Sequence, residues 1–196
     1  SEVSLADYLK ANDIPAIEGI DTRALTSKLR DGGTQKGYLS VAGKVETEEA
    51  VKIAREWEGL DNQDYASRVS ADDSYDWDKD GEKTTSWGWD AELAPADLKI
   101  VAYDFGIKWN ILRGLRQHGM DVHVVPAKTD PQEILKRRPD GVFVSNGPAD
   151  PSAVRYAIDT AKALIGKVPI MGICLGHQLL SLAAGAKTYR LKFGHH

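Results

Sequence analysis

Val168-Pro169-Ile170-Met171-Gly172-Ile173-Cys174-Leu175-Gly176-His177-Gln178-Leu179-Leu180 decides how this chain is read. An apolar run, Val168 to Ile173, enters a Gly-x-Cys-x-Gly turn, and Leu175 to Ala184 beyond it has helical composition. An apolar strand without alternation is one buried on both faces. A strand-to-helix turn with glycine two residues either side of a nucleophilic side chain has the form of a nucleophile elbow, here with cysteine as the nucleophile. The glycines have a steric purpose. Strand and helix approach closely at such a turn, and the nucleophile's own backbone is held in a sparsely populated conformation.

Working backwards from the elbow, the same alternation of strand and helix recurs. Ile100 to Tyr103, Val122 to Val125 and Gly141 to Val144 read as strands, and Lys187 to Phe193 as a fifth. Lys108 to His118, Pro131 to Arg138 and Ala153 to Ile165 read as helices, the first and last stopped by Gly119 and Gly166. Strands alternating with helices imply a parallel, doubly wound sheet with right-handed crossovers. The fold class is therefore α/β, with residues 98–196 forming the N-terminal part of a truncated, mostly parallel sheet domain. Residues 1–60 read as part of a smaller α+β domain. Ser4 and Asp21 are placed to cap helices, Gly37 to Val41 reads as a strand, and Val51, Ala54 and Trp57 mark a helix over Glu48 to Trp57.

Between them, residues 61–97 lose periodicity and read as an irregular interdomain connection containing Trp77 and Trp87-Gly88-Trp89. Asp76-x-Asp78-x-Asp80-Gly81 starts like a calcium loop, but its twelfth position is Trp87 rather than an acid. No metal site is expected.

The formal charge of -4, with no stripe of Lys and Arg, excludes nucleic acid as an expected partner. No apolar run approaches the roughly 20 residues of a membrane span, and the opening residues lack a signal-peptide pattern, so a cytoplasmic location is expected. A lone cysteine forms no internal disulfide and no four-cysteine zinc site. It is either a small buried hydrophobe or a reactive thiol, and the elbow favours the thiol.

Ligands of doubly wound sheets bind at the carboxyl ends of the strands. Two loops belong to that edge: the elbow, and Ser145-Asn146-Gly147-Pro148-Ala149-Asp150-Pro151. At the start of a helix, unpaired N–H groups would stabilise a Cys174 thiolate. The Leu175 amide, with that of Gly147 from the neighbouring loop, would then face an anionic tetrahedral intermediate.

Both loops resemble those of the class I, triad-type glutamine amidotransferases, which have a flavodoxin-like sheet. Within that family the chain is most similar to the small, glutamine-hydrolysing subunits of carbamoyl-phosphate synthetase. Three further stretches carry the likeness: Asp21-Thr22-Arg23, Val101 to Leu112 with its Asp104-Phe105-Gly106-x-Lys108-x-Asn110 core, and Lys192-Phe193-Gly194-His195-His196.

The resemblance implies that Cys174 attacks the glutamine side-chain amide and forms a γ-glutamyl thioester. It implies Gly147 and Leu175 as oxyanion donors, and Gly147, Ala149, Leu175 and Gln178 as glutamine-binding positions. No cofactor is implied on this chain. ATP and Mg are expected on a large synthetase subunit, which would receive the ammonia and make carbamoyl phosphate for arginine or pyrimidine synthesis.

Two departures from the family accompany this. Ala149 stands where a second glycine is usual, at a cost on the order of 1 kcal/mol if the position needs positive φ, and with a β-carbon that would crowd the substrate. The family's general-base His and its acid lie beyond His196, and His177, His195 and His196 do not match that base. The chain therefore reads as a fragment of a larger protein, inactive alone. Another class I amidotransferase, a non-catalytic docking subunit, and a thiol esterase or peptidase on the same elbow are the competing readings.

Overall fold

Helices begin where a side chain can take up a free N–H group. In a computed structural model describing residues 3–41, 44–87 and 92–192, Ser4 accepts from the Asp7 amide at 3.2 Å and opens α1 (Leu5–Ala11). Asp21 accepts from the Ala24 amide at 2.9 Å and opens α2 (Thr22–Gly32). A third amphipathic helix, α3, spans Thr47–Glu56. These helices belong to one compact unit, Ser1–Gly59 with Tyr189–His196, and none of the three contains a buried residue.

Two expected strands do not form. Residues 37–41 and 187–192 are irregular, because no strand among the described residues lies alongside either to complete a hydrogen-bonded ladder. Phe193, Gly194, His195 and His196 lie outside the described residues, as do Gly88 and Trp89.

The second unit, Leu60–Thr188, holds the sheet. Its first part corrects the reading of residues 61–97 as irregular. That stretch folds as α4 (Ala66–Val69), β1 (Tyr75–Trp77) and α5 (Glu82–Thr85). β1 joins the sheet as an antiparallel edge strand. The alternation then follows as expected: β2 (Leu98–Asp104), α6 (Trp109–Gln117), β3 (Met120–Pro126), α7 (Pro131–Lys136), β4 (Gly141–Val144), α8 (Arg155–Leu164), β5 (Ile170–Gly172) and α9 (Leu175–Ala183).

The strand order is β1-β3-β2-β4-β5. β2 is parallel to both β3 and β4, β4 is parallel to β5, and Tyr75 pairs with Val124 across the antiparallel β1–β3 edge. Side chains alternate between two cores, one on each face. Ala102, Val122, Val124 and Phe143 pack with Leu112 and Leu115 of α6. On the other face Val101, Tyr103, Val125, Val142 and Val144 pack with Ile134 of α7, Ala157 and Leu164 of α8, and Leu175 and Leu179 of α9.

From β2 the chain moves outward to β3, then returns across β2 to start β4. The helices following β2 and β4 thus depart to opposite faces, and their connecting loops separate at the carboxyl edge. Such a switch of direction opens a crevice there. Both loops singled out in the sequence lie along this edge.

Candidate active site

The elbow follows from close packing at three backbones. Ile173 donates its N–H to the Val144 carbonyl at 3.1 Å, continuing the β4–β5 ladder. At Cys174 the chain turns with φ 54° and ψ -112°, a left-handed conformation that L residues seldom adopt. α9 starts at the next residue. Gly176 donates to the carbonyls of Ser145 and Ile173, both at 3.0 Å, and Gln178 to that of Cys174 at 3.1 Å.

No side chain fits at the two flanking glycines. A β-carbon on Gly176 would run into the Val144 carbonyl group, and one on Gly172 would lie 2.5 Å from the Gly176 carbonyl carbon. Leu175 and Leu179 bury one side of α9 in the core, which leaves Cys174, His177 and Gln178 exposed on the other. Cys174 and Gln178 sit one turn apart on that exposed side.

The neighbouring loop is held by side chains. Ser145 Oγ accepts the Phe105 N–H at 2.9 Å and donates to the Asn146 carbonyl at 2.8 Å. Asn146 bridges back to the loop after β2: its Nδ2 donates to the Gly106 carbonyl at 2.9 Å, and its Oδ1 accepts the Lys108 N–H at 3.1 Å. That β2 loop is itself tied down by Asp104. One of its carboxylate oxygens accepts from Gly106 and Ile107, each at 2.8 Å, and the other from Ala71 at 3.0 Å. Gly147 is pressed so closely on Phe105 that a β-carbon there would overlap the Phe105 carbonyl.

Farther along, Asp150 accepts from the Asn62 N–H at 3.0 Å, and its own N–H donates to the Gln63 carbonyl at 3.1 Å. Asp64 forms an isolated antiparallel bridge with Ala149. Asp64 also accepts from Ser67 N–H at 3.0 Å and from the Tyr156 hydroxyl at 3.4 Å. Burial, and then the neighbouring Asp64 charge, raise the Tyr156 phenol well above its ordinary range, so it remains a donor.

These partners from residues 62–71 escaped the sequence reading. Nothing in the periodicity of a short polar segment shows which distant loop it will clamp. Asn146 and Asp104 did stand inside motifs quoted above, and Asp-x-Gly is a turn signal; their bonding partners were not legible.

The strain foreseen at Ala149 does not arise. Ala149 is not among the residues with positive φ, and its side chain packs against the larger core. Alanine there carries no left-handed strain. The Asp76–Gly81 stretch is also accounted for. Asp76 accepts from His123 Nδ1 at 2.7 Å and pairs with Lys79, Asp80 accepts from Glu82 N–H, and Asp78 holds the amides of Lys83 and Thr84, each at 2.8 Å, with the Thr84 hydroxyl.

Chemically, the edge offers an exposed thiol at the start of a nine-residue helix. The N–H groups of Leu175, the residue after it, and of Gly147 in the neighbouring loop donate to no protein acceptor among the described residues. Such a pairing of nucleophile with free amides suits acyl transfer through a tetrahedral oxyanion. No imidazole among the described residues is hydrogen-bonded to Cys174; His118 and His123 bond elsewhere, and His177 is exposed. No helix among the described residues is long and apolar enough to cross a membrane.

Comparison with known proteins adds a family to this geometry. Residues 101–196 match the family described as glutamine amidotransferase class-I, and residues 1–39 that described as carbamoyl-phosphate synthase small chain, CPSase domain. The chain is 48% identical over 195 residues to the carbamoyl phosphate synthase small chain of Syntrophotalea carbinolica, covering 100% of this chain and 51% of that one. It is 47% identical over 203 residues to the small chain of Pseudomonas syringae pv. tomato, covering 100% of this chain and 52% of the relative. The chloroplastic small chain of Arabidopsis thaliana is 46% identical over 98% of this chain and 44% of its own length. The chain thus spans about half the length of the curated relatives it matches. Over its whole length it is similar to carbamoyl phosphate synthase small chains, and its residues 101–196 match the class-I glutamine amidotransferases.

Proposed function

We propose that this chain carries the glutamine-hydrolysing centre of a carbamoyl-phosphate synthase. The observation that carries the reading is Cys174 itself: an exposed thiol in a left-handed elbow at the start of a helix, in a chain 48% identical to a small chain of that enzyme. The Cys174 sulfur attacks the side-chain carbonyl carbon of L-glutamine. The carbonyl oxygen becomes an oxyanion between the Gly147 and Leu175 N–H groups. Collapse of this intermediate breaks the C–N bond, releases ammonia and leaves a γ-glutamyl thioester, which water then converts to glutamate. Gln178, one turn along the exposed side of α9, contacts the bound glutamine together with the backbone of Gly147, Ala149 and Leu175.

The ammonia passes to a large synthetase subunit, where ATP and Mg supply the chemistry that makes carbamoyl phosphate for arginine or pyrimidine synthesis. The chain itself needs no metal or cofactor for its half-reaction. A cytoplasmic location fits the single free thiol, whereas the relatives from Arabidopsis thaliana and Oryza sativa are described as chloroplastic.

Departing ammonia must be protonated, a task for a general acid that no described residue performs at Cys174. The 196-residue chain taken by itself is therefore expected to show negligible turnover. Turnover near that of a full-length relative would overturn this division of labour. A glutamine-like chloroketone tests the site directly, because alkylation needs no proton delivery. The expected result is one adduct on Cys174, slowed by excess glutamine and absent from Cys174→Ala. Labelling that glutamine does not slow would refute a glutamine site, and no labelling at all would favour a docking subunit.

A further inference from the structure

Four backbone segments meet at the carboxyl edge of the sheet, and one side chain joins two of them. Asn146 sits directly before Gly147. Its amide nitrogen donates to the Gly106 carbonyl at 2.9 Å, while its amide oxygen accepts the Lys108 N–H at 3.1 Å. Both halves of the carboxamide are thus used, in opposite senses, on one neighbouring turn. That turn does not move freely. Asp104 grips Gly106 and Ile107 through their N–H groups, and Gly106 stands at φ 106°, with room for a β-carbon closed off by Val69 and Pro148. The peptide immediately after Asn146 is wedged against Phe105 at Gly147. The direction of the Gly147 N–H is therefore set by contact with Phe105, by the Ser145 hydroxyl on the carbonyl of the same peptide, and by the two hydrogen bonds that tie the Asn146 side chain to the β2 turn.

We infer that Asn146 is a positioning residue that aims the Gly147 N–H at the developing oxyanion. This rests on the glutaminase reading above and extends it to a group that touches neither glutamine nor sulfur. The physical ground is that a preorganised donor is effective only when it is already oriented at the position the charge will occupy. A displacement of about 1 Å in such a site costs on the order of 100-fold in rate. Ser145 holds the same peptide at its other end: its hydroxyl accepts the Phe105 N–H at 2.9 Å and donates at 2.8 Å to the Asn146 carbonyl, which shares one peptide plane with the Gly147 N–H. Asp150 fixes the distal end of the loop, against residues 62 and 63. Asn146 is the side chain that ties this peptide across to the β2 turn.

The test compares two reactions of the same sulfur in the 196-residue chain. Iodoacetamide is displaced by Cys174 without any oxyanion; the S–C bond forms as iodide leaves. An aryl thioester of the glutamate γ-carboxyl acylates Cys174 through a tetrahedral oxyanion; the bond from the Cys174 sulfur to the acyl carbon forms, the bond from that carbon to the arylthio sulfur breaks, and the aryl thiolate leaves as an anion without a proton donor. Mass spectrometry counts either adduct against time.

In Asn146→Ala the alkylation rate is expected within about twofold of the parent, with acylation slowed roughly 10- to 100-fold. Asn146→Asp is nearly the same shape and keeps an acceptor for Lys108, but it sets a carboxylate oxygen against the Gly106 carbonyl. It is expected to lose acylation as severely while melting as a folded protein. Equal acylation by the parent and both variants overturns the inference. So does an equal slowing of both reactions, since that reports a general disturbance of the elbow. If the parent is alkylated but never acylated by the γ-glutamyl donor, the glutaminase reading itself fails, a result separate from either.

Discussion

Replacing Cys174 by glycine should make this protein more stable while removing its chemistry. Cys174 holds φ 54° and ψ -112°, outside the regions open to L side chains at little cost. It is kept there by its surroundings: Ile173 is bonded to β4, Gly176 to Ser145, and Gln178 to the Cys174 carbonyl. A non-glycine residue confined in this way stores about 1–3 kcal/mol. Glycine releases that strain, but it gains more freedom in the unfolded chain, which costs about 0.5–1 kcal/mol. The thiol is exposed, so few packing contacts leave with it.

The comparison that isolates the backbone is Cys174→Gly against Cys174→Ala, since alanine removes the sulfur and keeps the β-carbon. Glycine should exceed alanine by about 1 kcal/mol, which for a chain of 196 residues corresponds to a melting temperature roughly 2–4 °C higher. Urea unfolding followed by tryptophan fluorescence measures the free energy, and a thermal scan gives an independent reading. A glycine variant equal to or less stable than the alanine variant would refute the claim that the elbow is strained.

Two other outcomes follow from the same packing. Gly176→Ala and Gly114→Ala make the same chemical change in helices, yet the signs should differ. The first sets a methyl group against the Val144 carbonyl and should destabilise by about 1–3 kcal/mol, whereas the second meets nothing within 4 Å and should stabilise by up to about 1 kcal/mol. Equal shifts in paired denaturation curves would show that the close approach is not real. Asp78 provides a dependence on pH: burial alone would raise its carboxyl, but the Thr84 hydroxyl and the Lys83 and Thr84 amides outweigh that and hold it below the ordinary range. Because the folded value lies below the unfolded one, its contribution is complete above about pH 4 and fades as pH falls through the folded value. Asp78→Asn should therefore cost about 1–3 kcal/mol at pH 7, with the gap to the parent narrowing below about pH 4 in urea titrations; a gap independent of pH would contradict this assignment.

What the sequence made legible were features whose cause is local. Gly141 to Val144 could be read as a strand because all four residues are buried, and burial on both faces leaves an unbroken apolar run. The elbow was readable because its glycines answer a steric need that shows in the residue type. What failed were features that exist only through a partner. Gly37 to Val41 has strand composition but finds no neighbouring ladder. Tyr75 to Trp77 is a strand, three residues long, because it lies against Val122 to Val124 of β3. An isolated stretch of that length has no stability of its own. The clamp of Asp64 on Ala149 belongs to the same class, since neither residue carries a mark of the other.

Ala149 shows how the two kinds of information combine at the site. Judged by residue type, an alanine in place of glycine raised the prospect of strain in the loop that carries the Gly147 amide. The loop in fact takes its course from side chains on either flank, Asn146 to the β2 turn and Asp150 to residues 62 and 63, and Ala149 is left with an ordinary backbone and a place for its methyl group in the core. The left-handed conformation at this edge falls instead on Gly106, which bears it without penalty, on Asn62 beside Asp150, a residue type that tolerates it, and on Cys174, which does not. Strain at the carboxyl edge is thus concentrated on the one residue whose side chain must stand clear of the sheet, with the loops around it relaxed and hydrogen-bonded. A nucleophile held in that way is exposed by its backbone, so its alkylation by iodoacetamide, which needs no glutamine contact, should survive substitutions on the exposed side of α9 that leave Gly172 and Gly176 in place, and loss of alkylation in Gln178→Ala would refute this.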